Sequence, residues 1–239
     1  MLAAAAVCPC PPLLVPEVAA GAAPELDAAR AACVDALGVL AAARPDLLIV
    51  AGPAGPDGSG AFPPGSTGSF AGFGVDLTVR LGEAPAGAPA PDRALPASLA
   101  VGAWLLERAG WAGTPVEGFG VGERLDAGSC LRAGAGLAGG PERVALLVMG
   151  DGSACRTVKA PGYLDERAAD FDAEAARALG SADLAALSAL DASRAYELKA
   201  SGRAPWQVLA GAAQGAELGG KLLHEDAPYG VGYVVAAWS

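Results

Sequence analysis

The sequence predicts an α/β fold of three layers, a central and mostly buried mixed sheet with helices on both sides. It adds a helical block near 165–217 and a C-terminal β-hairpin. Three observations carry this. P-D-L-L-I-V-A-G-P (45–53) and R-V-A-L-L-V-M-G (143–150) are continuous apolar runs closed by turn residues, the signature of strands covered on both faces. Helix-periodic stretches alternate with such runs through the first two thirds of the chain. The last residues, K-L-L-H-E-D-A-P-Y-G-V-G-Y-V-V-A-A-W, read as two strands joined at Pro-Tyr-Gly.

In chain order, residues 2–8 read as a short buried strand running into the proline-stiffened turn C-P-C-P-P (8–12). A helix is expected from Pro24 to about Ala43, with Pro24 in its first turn and Leu26, Cys33, Leu37 and Leu40 on one face. The strand at 45–53 follows, then a long Gly/Pro/Ser loop over 53–74. V-D-L-T-V-R-L (75–81) alternates as a strand does, and 82–93 reads as a Pro/Ala linker-like loop. A helix over 94–110 contains Trp104 and Leu105, and T-P-V-E-G-F-G-V (114–121) reads as a strand. After the strand at 143–150 the pattern turns helical from Asp165 to about Glu217, with breaks near Gly180, Asp191 and Gly202. No internal repeat or domain boundary emerges, so one domain over 1–239 is expected.

Composition narrows the function. The chain has 239 residues, 53% of them hydrophobic, enough for a substantial core. A net charge of −10 with scattered acids argues against a nucleic-acid surface, which needs a basic stripe. The apolar runs are too short to span a membrane, and M-L-A-A-A-A-V-C lacks the basic region of a signal peptide. Five cysteines make an odd count for a disulfide framework, which points to reduced thiols and a cytoplasmic protein.

Several motifs fail on inspection. G-A-G-L-A-G (134–139) has the letters of a dinucleotide fingerprint but precedes a strand, whereas that loop must follow one and open a helix. His224 is the lone histidine, so a site with two or more His ligands is excluded. Ser153 has no G-x-S-x-G elbow around it to act as a hydrolase nucleophile with His224. Cys8 and Cys10 form half of a thiolate metal site with no second pair at ligand spacing.

Taken together, C-P-C-P-P-L-L-V-P-E (8–17), L-I-V-A-G-P-A-G (48–55), V-M-G-D-G-S-A (148–154), S-G-R-A-P (201–205) and P-Y-G-V-G-Y (228–233) resemble, in order, segments of the class III extradiol ring-cleavage dioxygenases. The beta chain of protocatechuate 4,5-dioxygenase typifies that superfamily, and the Memo proteins are distant relatives. The resemblance implies a three-layer α/β fold and, in active members, Fe(II) held by two His and a carboxylate with open positions for catechol and O2. Here Cys10, Gly55 and Ala154 stand where imidazoles are expected, and Ser201 stands at the Cys of the Memo branch. Glu197 corresponds to the carboxylate; Cys10 and Glu197 are then the two weak candidates for a metal, and no cofactor is expected.

The strand ends near 8, 53 and 150 are expected to converge on one cleft, where open α/β sheets place ligands. Its candidate residues are Cys10, Gly55, Asp151, Ser153, Arg156, Lys159, Glu197 and His224. Arg156 and Lys159 either grip an anion or pair with the acidic surface, and Asp151 either faces a ligand or braces its own turn. Three readings follow: a non-redox protein that binds a small molecule or partner, an enzyme using Cys10 as nucleophile or soft metal ligand, or a subunit of a larger assembly such as a homo-oligomer.

Overall fold

The structure, a computed structural model, describes residues 1–87 and 91–239. Its seven-stranded mixed sheet has the order β3-β6-β2-β7-β1-β9-β8. The inner strands β1 (Leu2–Cys8), β2 (Leu47–Ala54), β6 (Val116–Gly122) and β7 (Val144–Met149) run parallel. Every residue of β7 is buried, as the apolar run predicts for a strand covered on both faces. The C-terminal hairpin is present: β9 (Tyr233–Trp238) pairs antiparallel with β1, and β8 (Gly220–Asp226) pairs with β9 at the sheet edge.

Helices cover both faces. After a single turn, α1 (Pro16–Ala19), the helix α2 (Asp27–Ala42) packs on one face together with α3 (Ala97–Arg108). Cys33, Leu37 and Leu40 enter that core, as their spacing predicts. Pro24 sits instead in a 3-10 turn over Ala20–Leu26, so α2 starts later than expected. On the other face lie α4 (Ala127–Ala138), α5 (Arg167–Gly180), α6 (Leu184–Ala189), α7 (Ala192–Glu197) and α8 (Arg203–Ala212). Their boundaries fall at Gly180, Asp191 and Gly202, the breaks read from sequence. The alanines of β1 make room on this face: Ala5 lies opposite Trp238, and fully buried Trp206 fills the same cluster.

Two expectations need correction. The 53–74 stretch is not all loop: β3 (Gly60–Phe62) adds to the free edge of β6, and β4 (Ser66–Ser69) pairs with β5 (Thr78–Leu81) in a separate two-stranded sheet. β3 and β4 are built largely from Gly, Ala and Ser, so no apolar alternation marks them, whereas Val79 and Leu81 of β5 alternate into the core. The strand expected over 75–81 is accordingly shorter, and of the linker-like stretch 82–93, residues 88–90 lie outside the described residues.

The G-A-G-L-A-G stretch lies within and just beyond α4. Its glycine has a packing reason: a Cβ on Gly134 would strike the carbonyl oxygen of Val208 in α8, and one on Gly211 would strike that of Leu131. Two helices meet here backbone to backbone, which only glycine permits.

Candidate functional site

The four parallel strands end on the same side of the sheet; of the residues just past them, Gly55 and Glu123 line the cavities there, whereas Cys10 and Asp151, predicted as cleft residues, lie behind the wall and border neither. Cys10 follows β1, Gly55 follows β2, Glu123 follows β6 and Asp151 follows β7. Two adjoining cavities open there and share Glu123 and Tyr196. One, of about 480 Å³, is largely apolar, with Gly55, Phe119, Val121 and Leu125 in its wall. The other, of about 460 Å³, mixes polar and apolar surface about equally, with Glu197, Lys199, Ser201 and Arg203 in its wall. Arg124 stacks over the Tyr196 ring, 4.0 Å from its centroid, at the junction.

Asp151 ties three segments together. Its Oδ1 accepts the Cys10 N–H at 2.7 Å, its own N–H donates to Ser201 Oγ at 3.2 Å, and its carbonyl accepts the Gly202 N–H at 2.8 Å. Burial, opposed only by the Cys10 N–H, pushes the carboxyl up to about 7. The Cys10 thiol is pushed well above the ordinary range by its own burial, and further by the charges of Asp151 and Glu123. The Tyr233 phenol rises in the same surroundings, first through burial and then through Asp151. This is a buried corner shared with two carboxyl groups, unlike the electropositive setting that makes a thiol reactive.

Ser153 and Arg156 do not face the cleft chemistry; both are spent on Asp172 of α5. The Ser153 N–H donates to Asp172 Oδ1 at 2.6 Å, its Oγ donates to Oδ2 at 2.8 Å, and Arg156 Nη1 reaches Oδ2 at 3.0 Å. The 152–153 backbone pairs with Gly232 from the far hairpin, Gly152 N–H to Gly232 O at 2.7 Å and Gly232 N–H to Ser153 O at 2.8 Å. A Cβ on Gly152 or Gly232 would come within 2.7 or 2.5 Å of the Asp172 carboxylate, so both glycines admit it. Ala154 is buried, its N–H bonded to Leu198 O at 2.9 Å.

The remaining predicted residues divide. Gly55 and Glu197 line the cavities, Glu197 paired with Arg167 Nη1 at 2.8 Å. Lys159 is exposed on the loop beyond Arg156. His224 lies on the edge strand β8, opposite Val235, with β9 between it and β1, and it borders neither cavity. Among the described residues no three His, Cys, Asp or Glu side chains are grouped to hold a metal.

Sequence reasoning missed Glu123, Tyr196, Lys199 and Arg203. G-V-G-E-R (120–124), a glycine pair closing a strand on the cleft side, is the signal that would have found Glu123. Arg203 belongs to the quoted S-G-R-A-P, yet a lone Arg opening a helix carries no mark of burial. Its side chain is 2% exposed, donating to the carbonyls of Glu123 and Leu125 and, at 3.0 Å, to Gln207 Oε1.

No helix among the described residues is long and apolar enough to cross a membrane. No protein-family model matches the sequence, and no curated protein matches it. Among solved structures, the chain is similar to the uncharacterized protein JW3007 from Escherichia coli K12. The match covers 98% of each chain with a TM-score of 0.59 at 13% identity, a likeness of fold.

Proposed function

We propose that the cleft binds a small molecule without redox chemistry, on a dioxygenase-like frame whose iron donors have been replaced. The observation that carries the reading is the donor set. Gly55 and Ala154, at two positions where the resemblance places imidazoles, offer no side-chain ligand. At the third, burial keeps the Cys10 thiol protonated at neutral pH, and a thiol must lose its proton to ligate. Glu197 is committed to Arg167. This set does not fit Fe(II), which needs a firm three-donor face.

What does fit is recognition. An apolar cavity beside one of mixed polarity, joined at Glu123 and Tyr196, suits a ligand with an apolar body and a polar end. The reading sets the protein in the cytoplasm, where its five free, buried thiols stay reduced. A metabolite library screened by 1H–15N NMR on metal-free protein tests it. Saturable shifts confined to residues around Phe119, Val121, Glu123 and Tyr196 are expected; binders that act only when iron is added would overturn it.

A further inference from the structure

One buried charge, Arg203, has no carboxylate paired directly with it. Among the described residues no carboxylate lies within ion-pair distance of Arg203 or of Lys199. The Arg203 bonds to two carbonyls and Gln207 use Nη1 and Nη2, while Nε is buried with no partner. Neutral acceptors offset only part of the cost of burying a guanidinium; a counter-charge offsets the rest. Burial lowers the Arg203 pKa, opposed in part by the Cys130 thiol and by the more distant Asp126 and Asp191, and an anion beside it would oppose that push further.

Arg203 forms part of the wall of the 460 Å³ cavity, together with Lys199 and Ser201. It also opens α8, a helix whose first turn no side chain caps. Lys199 is held in the left-handed region at φ 55, an unfavourable backbone for a non-glycine residue, beside this cavity. On the same wall Glu197 is neutralised by Arg167, and Glu123 carries one unpaired negative charge. Arg124, over the Tyr196 ring at the edge of the same wall, adds a further cation, so cations outnumber unpaired acids around this cavity.

We propose that Lys199, Ser201 and Arg203 form a subsite for one carboxylate group of the ligand. The proposal rests on the small-molecule reading above and specifies the polar end of that ligand. Ser201 is free to contribute its hydroxyl proton, since its Oγ accepts the Asp151 N–H. Arg203 has its Nε–H and one Nη2 hydrogen, adjacent and coplanar, left to meet a carboxylate, and Lys199 supplies a mobile ammonium at the rim.

The test uses acetate as the carboxylate probe and inorganic phosphate as the competing oxyanion, each titrated into the full chain and followed by NMR. Acetate is expected to give saturable shifts at the Arg203 Nε–H and the Ser201 and Ala204 amides, and phosphate weaker ones. Lys199→Gly removes the ammonium while suiting the positive φ, so it folds; it is expected to weaken acetate by about tenfold. Arg203→Lys, which keeps the charge but loses the planar fork, is expected to weaken it as well. Absence of saturable acetate shifts, an unchanged affinity in Lys199→Gly, or tighter phosphate than acetate would overturn the subsite. If acetate fails while a library compound still shifts Phe119 and Val121, the subsite falls and the binding reading stands. If neither binds, both fall.

Discussion

The hydroxyl of Ser153 donates to Asp172 Oδ2 at 2.8 Å, deep under the loop that follows the central strand β7. One buried carboxylate on α5 thereby sets the course of a loop on which sequence reasoning had placed much of the site. Asp172→Ala should leave the Ser153 N–H and hydroxyl buried without an acceptor and Arg156 without its counter-ion. A loss of about 3–5 kcal/mol is expected in urea unfolding, with Asp172→Asn milder. A variant of wild-type stability would contradict the assignment.

Much of the fold was legible, and the reason is visible in particular elements. The inner strands at 45–53 and 143–150 are buried on both faces, so they had to be continuous apolar runs. Asp191 punctuates the helical block because its side chain caps α7, and Gly180 and Gly202 do so where Leu222 and the Trp206 ring leave little or no room for a Cβ. By contrast, α4 is rich in Gly and Ala for close contact with α8, and the sequence reading assigned that stretch no element. Its one clear signal was Asp126, which caps the helix by accepting the Ser129 N–H at 2.9 Å. In the site, Gly55 was readable because it stands just past a strand end, as do Cys10 and Asp151 behind the cavity wall. Asp172 was not, since nothing distinguishes one helical acid among 26 until its partners are known.

The helix contact gives a paired test within one helix. Gly134→Ala would drive a methyl group into the Val208 carbonyl, whereas a Cβ on Gly136 meets nothing within 4 Å. The first should cost about 3 kcal/mol or abolish folding. The second should be neutral or stabilise by up to about 1 kcal/mol, the helix preference of Ala over Gly. Thermal unfolding of the two variants side by side reads the difference, and equal effects would contradict the packing account.

Asp151 makes stability depend on pH. Its carboxyl sits at about 7 in the fold against an ordinary 3.8. Below both values the folded and unfolded chains are equally protonated there. Between them the unfolded chain gives up the proton and the folded chain keeps it, so stability falls as pH rises, by up to about 1.4 kcal/mol per unit, and levels above 7. Asp151→Asn keeps an acceptor for the Cys10 N–H and removes the titration. Urea unfolding at pH 5 and pH 8 should then show a smaller gap in the variant than in wild type; an equal gap would refute the assignment.

The Cys10 thiol should be slow to react. All five cysteines are free and buried, and Cys10 is 7% exposed beside two carboxyl groups. Ellman's reagent should label the folded protein only as fast as it opens, with Cys10→Ser leaving the early time course unchanged. A fast phase lost in Cys10→Ser would instead favour an enzyme that uses this thiol.

The most direct measurement is iron retention. Protein incubated anaerobically with excess Fe(II), desalted and assayed for metal should carry far less than one iron per chain, and should consume no oxygen with catechols beyond a protein-free control. One tightly held iron per chain, together with a ring-opened product, would show that Cys10 and its neighbours suffice where imidazoles were thought essential, and the binding-protein account would fail.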